Sequence, residues 1–155
     1  MRPGGGSGAF SPPSQPVMLA ILSPFLSNVL GGGESKLINN AGKEAPVKSL
    51  AGQVVALYCS ASWCGPCRQF TPQLVMFYVK MKQAKHPFEV VFVSCDRDPA
   101  SFNKYREHMP WWAMDYHSDS REEALGKLKV GRFMSSNFTL SPKPRQSIYF
   151  SSDCI

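Results

Sequence analysis

Cys64 and Cys67, separated by two residues in the run Trp63-Cys64-Gly65-Pro66-Cys67, form the pair in this chain best suited to do chemistry. Thiol–disulfide exchange requires a thiolate that attacks a disulfide and a second thiol close enough to resolve the mixed disulfide that results. A Cys-x-x-Cys spacing supplies both. An apolar, β-prone run stands before the motif and an amphipathic helical stripe after it, which sets Cys64 at a helix N-terminus. There the unpaired backbone N–H groups and the positive end of the helix dipole favour a thiolate, and a thiol so placed falls from a pKa of about 8.5 to about 7. Cys64 is therefore expected to be the nucleophile, and Cys67, one helical turn on, the shielded resolving thiol. Pro66 presets φ for the first turn, and Gly65 gives a partner backbone close access. Trp63 is expected to lie over the dithiol as an apolar contact for incoming peptides.

The same pair could form half of a zinc site. Zinc takes about four ligands, however, and Cys95, His108 and His117 do not supply a second closely spaced pair, so no metal is expected. Cys59 and Cys95 lie at the ends of apolar runs, where cysteine packs as a small hydrophobe. Cys154 sits near the C-terminus and is read as idle, and the three histidines fall in polar, loop-like sequence. The cluster Met109-Pro110-Trp111-Trp112-Ala113-Met114 has two readings, core or client-binding rim beside the dithiol, and Trp111 and Trp112 are the rim candidates.

The elements that must position the motif follow from periodicity. Gln53 to Ser60 is a continuous β-prone run of the kind buried on both sheet faces, and Phe88 to Cys95 is a second. Gln69 to Lys82 places Phe70, Leu74, Phe77, Tyr78 and Met81 at helical intervals, and Pro72 near its start could kink it. A short helix is predicted over Ala100 to His108, entered through Asp98-Pro99. Strand, helix, strand, helix implies parallel pairing through right-handed crossovers and a three-layer α/β sandwich. Upstream, Phe25, Leu26, Val29 and Leu30 predict a packing helix stopped by Gly31-Gly32-Gly33. Lys36 to Ile38 and Val47 to Leu50 predict two short edge segments around the turn-prone Asn39 to Gly42.

With 155 residues, 43% of them hydrophobic, the chain can build one domain with a real core. Five cysteines at irregular spacing do not suit a secreted disulfide framework, and a reducing compartment, cytoplasmic with the nucleus also open, is expected. The net charge of +6 is spread among acids rather than gathered in a basic block, so nucleic acid is not an expected partner. Residues 1–16 are Gly, Ser and Pro with little apolar content and read as a disordered arm. The apolar run Val17 to Leu22 is cut short by Ser23-Pro24, reads as a short helix, and falls far below the roughly 20 residues of a membrane span, so no membrane partner is expected.

The stretch from Val54 to Leu74, with Ala61-Ser62-Trp63-Cys64-Gly65-Pro66-Cys67-Arg68-Gln69-Phe70 at its centre, resembles the tryparedoxin and nucleoredoxin branch of the thioredoxin superfamily. Phe88 to Asp96, Met109-Pro110-Trp111-Trp112-Ala113 and Leu125 to Val130 resemble later landmarks of that branch in the same order, so the likeness runs from about Leu22 to Val130. It implies a thioredoxin-like three-layer sandwich with a central mixed sheet over 17–130. The implied activity is that of a thiol–disulfide oxidoreductase without bound cofactor. Its clients would be protein disulfides, of peroxiredoxins or other targets, and its electrons would come from a small dithiol or a thioredoxin-reductase-like donor.

Two features depart from the branch, the residues between the cysteines and the step after Val130. Gly65-Pro66 stands where tryparedoxins carry Pro-Pro. Tyr58 stands where thioredoxin itself has a buried acid, and in this it agrees with the tryparedoxin branch. After Val130 the branch has an Ile-Pro-Thr-like step whose cis proline faces the dithiol, whereas this chain reads Gly131-Arg132-Phe133-Met134-Ser135-Ser136. The closing hairpin and final helix are thus expected to be missing or altered. Residues 131–155 read as a divergent, weakly ordered tail with at most one weak strand, Gln146 to Phe150, and the sheet is expected to keep an exposed edge. A second function follows from that loss: a catalytically impaired thioredoxin-like binding or regulatory protein.

Overall fold

A computed structural model describes residues 24–128 and, as backbone, the strand 147–151. The expectations for residues 1–23, for the missing proline step and for Cys154 lie outside the described residues.

Helix α1 (Pro24–Val29) buries Leu26 and Val29, and Leu30 follows them into the core. It stops where Gly31 and Gly32 take φ of 82° and 100°, a backbone region that side chains with a Cβ avoid. Strand β1 (Lys36–Ile38) then turns back antiparallel to β2 (Glu44–Pro46). The second expected edge segment is corrected here: Val47–Leu50 is a turn of 3₁₀ helix. Pro46 ends the strand, and Val47 and Leu50, three residues apart, then bury together on one side of a three-residue turn.

Strands β3 (Val54–Ser60) and β4 (Phe88–Ser94) pair in parallel from Val54 opposite Phe88 to Ser60 opposite Ser94. Both are buried on both faces, as their largely apolar runs require, and buried Glu89 in β4 accepts from the Tyr78 hydroxyl and the Lys82 ammonium, both at 2.9 Å. Between them runs helix α2 (Gly65–Gln83), which begins four residues earlier than the apolar stripe alone indicates and stays continuous through Pro72. Its buried line is Cys67, Thr71, Leu74 and Tyr78, while Phe77 is 46% exposed, so the inward stripe is displaced from the one predicted. Helix α3 (Pro99–Arg106) is capped by Asp98 and leads to β5 (Trp112–Met114), parallel to β4. Helix α4 (Asp119–Lys127) follows.

Strand β6 (Ser147–Ser151) lies parallel to β3, with Val55 opposite Ser147 and Cys59 opposite Ser151. This is the one strand expected over Gln146 to Phe150, displaced by one residue, and it forms the end of the sheet beside β3. The mixed sheet has the order β2-β1-β5-β4-β3-β6. Alternation along β3 divides the core: Val55, Leu57 and Cys59 pack with α1, α4 and Val91, whereas Ala56 and Tyr58 pack with α2, α3 and Phe92. This is the three-layer thioredoxin-like sandwich, with the motif at the C-terminal end of an interior strand. Among the described residues no helix is long and apolar enough to cross a membrane.

Candidate active site

Strand β3 ends at Ser60, a short turn carries Ala61 to Trp63, and Cys64 becomes the N-cap of α2. The Cys64 N–H donates to the Ala61 carbonyl at 3.2 Å, and the Arg68 N–H donates to the Cys64 carbonyl at 3.1 Å, which fixes the cysteine between strand and helix. Pro66 falls in the first helical turn, where its missing N–H removes no helical hydrogen bond. A Cβ placed on Gly65 would meet nothing within 4 Å. Packing within the chain therefore does not demand a glycine there.

Cys64 and Cys67 are joined in a disulfide, the oxidised state of the dithiol, with Cα atoms 5.3 Å apart. Cys64 is 3% exposed and Cys67 fully buried. The Cys67 backbone N–H points at the Cys64 sulfur, 3.4 Å away. Ala61 completes a small apolar cluster with the pair, and half-buried Cys95 packs against it, nearer the dithiol than a simple core position. Cys59 is buried in the core as expected. Trp63 is 40% exposed and carries the Arg97 guanidinium 5.4 Å from its ring centroid.

Beneath the motif lies a chain of hydroxyls. Tyr58 Oη is 2.8 Å from Thr71 Oγ1 and reaches the Cys67 carbonyl at 3.3 Å. Thr71 Oγ1 lies 2.7 Å from Tyr105 Oη, which in turn meets Ser60 Oγ at 3.0 Å. Burial holds the Tyr58 phenol well above its ordinary pKa, so at neutral pH it acts as a hydrogen-bond donor and not as an acid.

Two residues that hold the turn before the motif, Asp96 and Arg121, were not among the candidates the sequence pointed to. Buried Asp96 accepts the backbone N–H and hydroxyl of Ser62, both at 2.7 Å, and the hydroxyl of Ser94 at 2.8 Å. Arg121, also buried, donates to the carbonyls of Ser94 and Tyr116 at 2.8 and 2.9 Å and so holds the loop that carries Asp96. An acid directly after a buried strand was the available signal for Asp96; Arg121 sits among ordinary helix charges and gave none.

The tryptophan rim is corrected. Trp111 is 2% exposed and meets Tyr58 and Tyr78 edge-on, at centroid distances of 6.1 and 5.5 Å. Trp112 is half-buried and packs against the other core layer. Neighbouring residues entering a strand point to opposite faces of the sheet, so the two indoles cannot share one surface.

A family model described as thioredoxin-like matches residues 52–136. Nucleoredoxin of Mus musculus is 44% identical over 105 residues, which cover 68% of this chain and 23% of the relative. Tryparedoxin of Trypanosoma brucei brucei is 45% identical over 95 residues, 61% of this chain and 65% of the relative. Native tryparedoxin I of Crithidia fasciculata superposes with a TM-score of 0.61 at 44% identity, covering 68% of this chain and 72% of that one. Against nucleoredoxins of Oryza sativa and Arabidopsis thaliana, the matched part spans only 19% and 18% of the relative's length. Fold, motif geometry and these likenesses agree: the chain belongs to the thioredoxin-like family, with nucleoredoxins and tryparedoxins among its relatives.

Proposed function

We propose that the chain reduces protein disulfides, with Cys64 as nucleophile and Cys67 as resolving thiol. The observation that carries this reading is the place of Cys64 as N-cap of a 19-residue helix, its sulfur facing the Cys67 N–H. In the reduced state that donor and the dipole end act on a thiolate.

The Cys64 thiolate attacks one sulfur of the client disulfide. That S–S bond breaks, a Cys64–client mixed disulfide forms, and the second client sulfur leaves as a thiolate that takes a proton from water. Cys67 then gives up its proton and attacks the Cys64 sulfur. The Cys64–client S–S bond breaks, and the first client sulfur leaves as a thiolate and takes up, through water, the proton that Cys67 released. The chain then holds the Cys64–Cys67 disulfide, having passed two electrons to the client. A small dithiol or a thioredoxin-reductase-like protein returns them, in the cytoplasm or nucleus, where thiols are kept reduced. Trp63, Gly65 and Pro66 form the client-facing part of this site.

Insulin reduction with dithiothreitol as electron source tests the proposal. Cys64→Ser should abolish the catalysed rate, and an unchanged rate would overturn the assignment. Cys67→Ser should trap mixed disulfides with clients on non-reducing gels, since attack is retained and resolution lost.

One feature of the sequence favours a second reading. The run Gly131 to Ser136 has no proline where the branch places its substrate-aligning step. Tight client capture by the wild-type chain with negligible turnover would select a binding or regulatory role.

A further inference from the structure

Helices α2 and α3 face each other across an open cleft of about 760 Å³ that begins beside the motif. Arg68, Thr71 and Val75 line it from α2, and Ser101, Lys104 and His108 line it from the α3 side. Arg68, Thr71 and Val75 follow the i, i+3, i+7 pattern of one helical face, and Ser101 and Lys104 are one turn apart on α3, with His108 in the turn that follows it. The cleft thus lies between two stripes, with Thr71 and Tyr105 also lining it.

Its polarity is one-sided. Arg68 and Lys104 are exposed, and among the described residues neither is in an ion pair. No Asp or Glu is among the residues lining it. Asp98, near the Ser101 end, is already taken up by the Ser101 N–H and hydroxyl at 2.8 and 2.7 Å. The chain's own segments outside 24–128 cannot complement this charge: residues 1–23 contain no acid, and residues 129–155 contain only Asp153 against four Lys and Arg.

We infer that this cleft binds an acidic segment of the client polypeptide, and so makes the enzyme selective for disulfides flanked by Asp and Glu. The inference rests on the disulfide-reductase reading above. Arg68 directly follows Cys67, and Ser62 on the same rim lies two residues before Cys64, so a chain leaving the dithiol enters the cleft at once. From Arg68 to Val75 is about 10 Å at 1.5 Å per residue. That holds about three residues of extended chain at roughly 3.3 Å each. The client's acids therefore belong within a few residues of its reactive cysteine, where carboxylates meet Arg68 and Lys104 and a backbone carbonyl meets the His108 imidazole.

Binding is measured on the full chain in its oxidised form by fluorescence anisotropy. The probes are fluorescein-labelled peptides with serine in place of the reactive cysteine, flanked on one side by Asp and Glu, by Ser and Gln, or by Lys. The acidic peptide should bind about five-fold more tightly than the neutral one, and the Lys peptide more weakly still. The preference should vanish between about 50 mM and about 0.5 M salt. Arg68→Glu combined with Lys104→Glu should reverse the order, with circular dichroism confirming the fold. Equal binding of all three peptides, an order unmoved by the double variant, or equally good competition by single-stranded DNA would overturn the inference.

Turnover of hydroxyethyl disulfide by the reduced wild-type chain is measured in parallel. Its absence would refute the reductase reading, while the binding order would still decide the cleft. Turnover without an acidic preference would refute the cleft alone.

Discussion

Asp96 holds Ser62 by two hydrogen bonds of 2.7 Å, across 34 residues of sequence and two residues ahead of Cys64. The buried carboxylate thereby ties the loop after β4 to the turn that delivers the nucleophile. Asp96→Ala should leave the Ser62 N–H and the Ser94 hydroxyl without their acceptor. Hydrogen bonds to a charged group contribute about 1.5–3 kcal/mol each, so a loss of about 3 kcal/mol in urea unfolding is expected, with insulin reduction slowed at least in proportion to the loosened turn. Asp96→Asn, which keeps one acceptor, should fall between. A midpoint unmoved in Asp96→Ala would mean that the turn is held by its backbone alone.

Tyr58 and the motif are linked through Thr71 and the Cys67 carbonyl, but the phenol stays protonated because burial raises its pKa. Tyr58→Phe should cost about 1 kcal/mol in stability and leave the pH profile of Cys64 alkylation unchanged. A displaced profile would make Tyr58 part of the proton chemistry.

The same burial makes an alkaline prediction, for Tyr58 and also for Tyr78, whose pKa is raised first by burial and then by Glu89. A folded-state pKa above the unfolded value of about 10 means stability that is whole below that value and is lost as pH rises towards the folded pKa. Unfolding midpoints should therefore decline above about pH 10, and Tyr58→Phe should flatten that decline. An equal slope in variant and wild type would contradict it.

Asp98 caps α3, and the Ser101 backbone N–H, followed by its hydroxyl, holds the carboxyl below its ordinary pKa. Its contribution is present above the unfolded carboxyl value and is lost as pH falls through the folded one. Asp98→Asn, an uncharged cap, should remove that part of the acid dependence; thermal melts from neutral to acid pH provide the check.

Trp111 sits inside the aromatic layer of α2 and α3, whereas Trp112 is half-buried on the opposite side of the sheet. Trp111→Ala should cost about 3–5 kcal/mol or prevent folding, by leaving a cavity between Tyr58 and Tyr78. Trp112→Ala should cost less. Similar unfolding midpoints for the two variants would argue against this division.

The sequence alone determined the local chemistry of this protein. A dithiol at two-residue spacing, between an unbroken apolar run and an amphipathic stripe, dictates a strand, a tight turn and a helix N-terminus, because each feature depends on residues only a few positions apart. The α/β layering follows from the same periodicities. Tertiary structure decided everything that depends on distant partners. Asp96 reads as one more loop acid until parallel pairing of β3 and β4 brings it to Ser62. Trp111 and Trp112 read as one aromatic patch until β5 sends their rings into separate layers. Val47 to Leu50 reads as a strand until burial of Val47 and Leu50 on one side favours a 3₁₀ turn. In each case the deciding interaction joins residues that only the sheet brings together, and no local pattern carries the energy of a contact made that far along the chain.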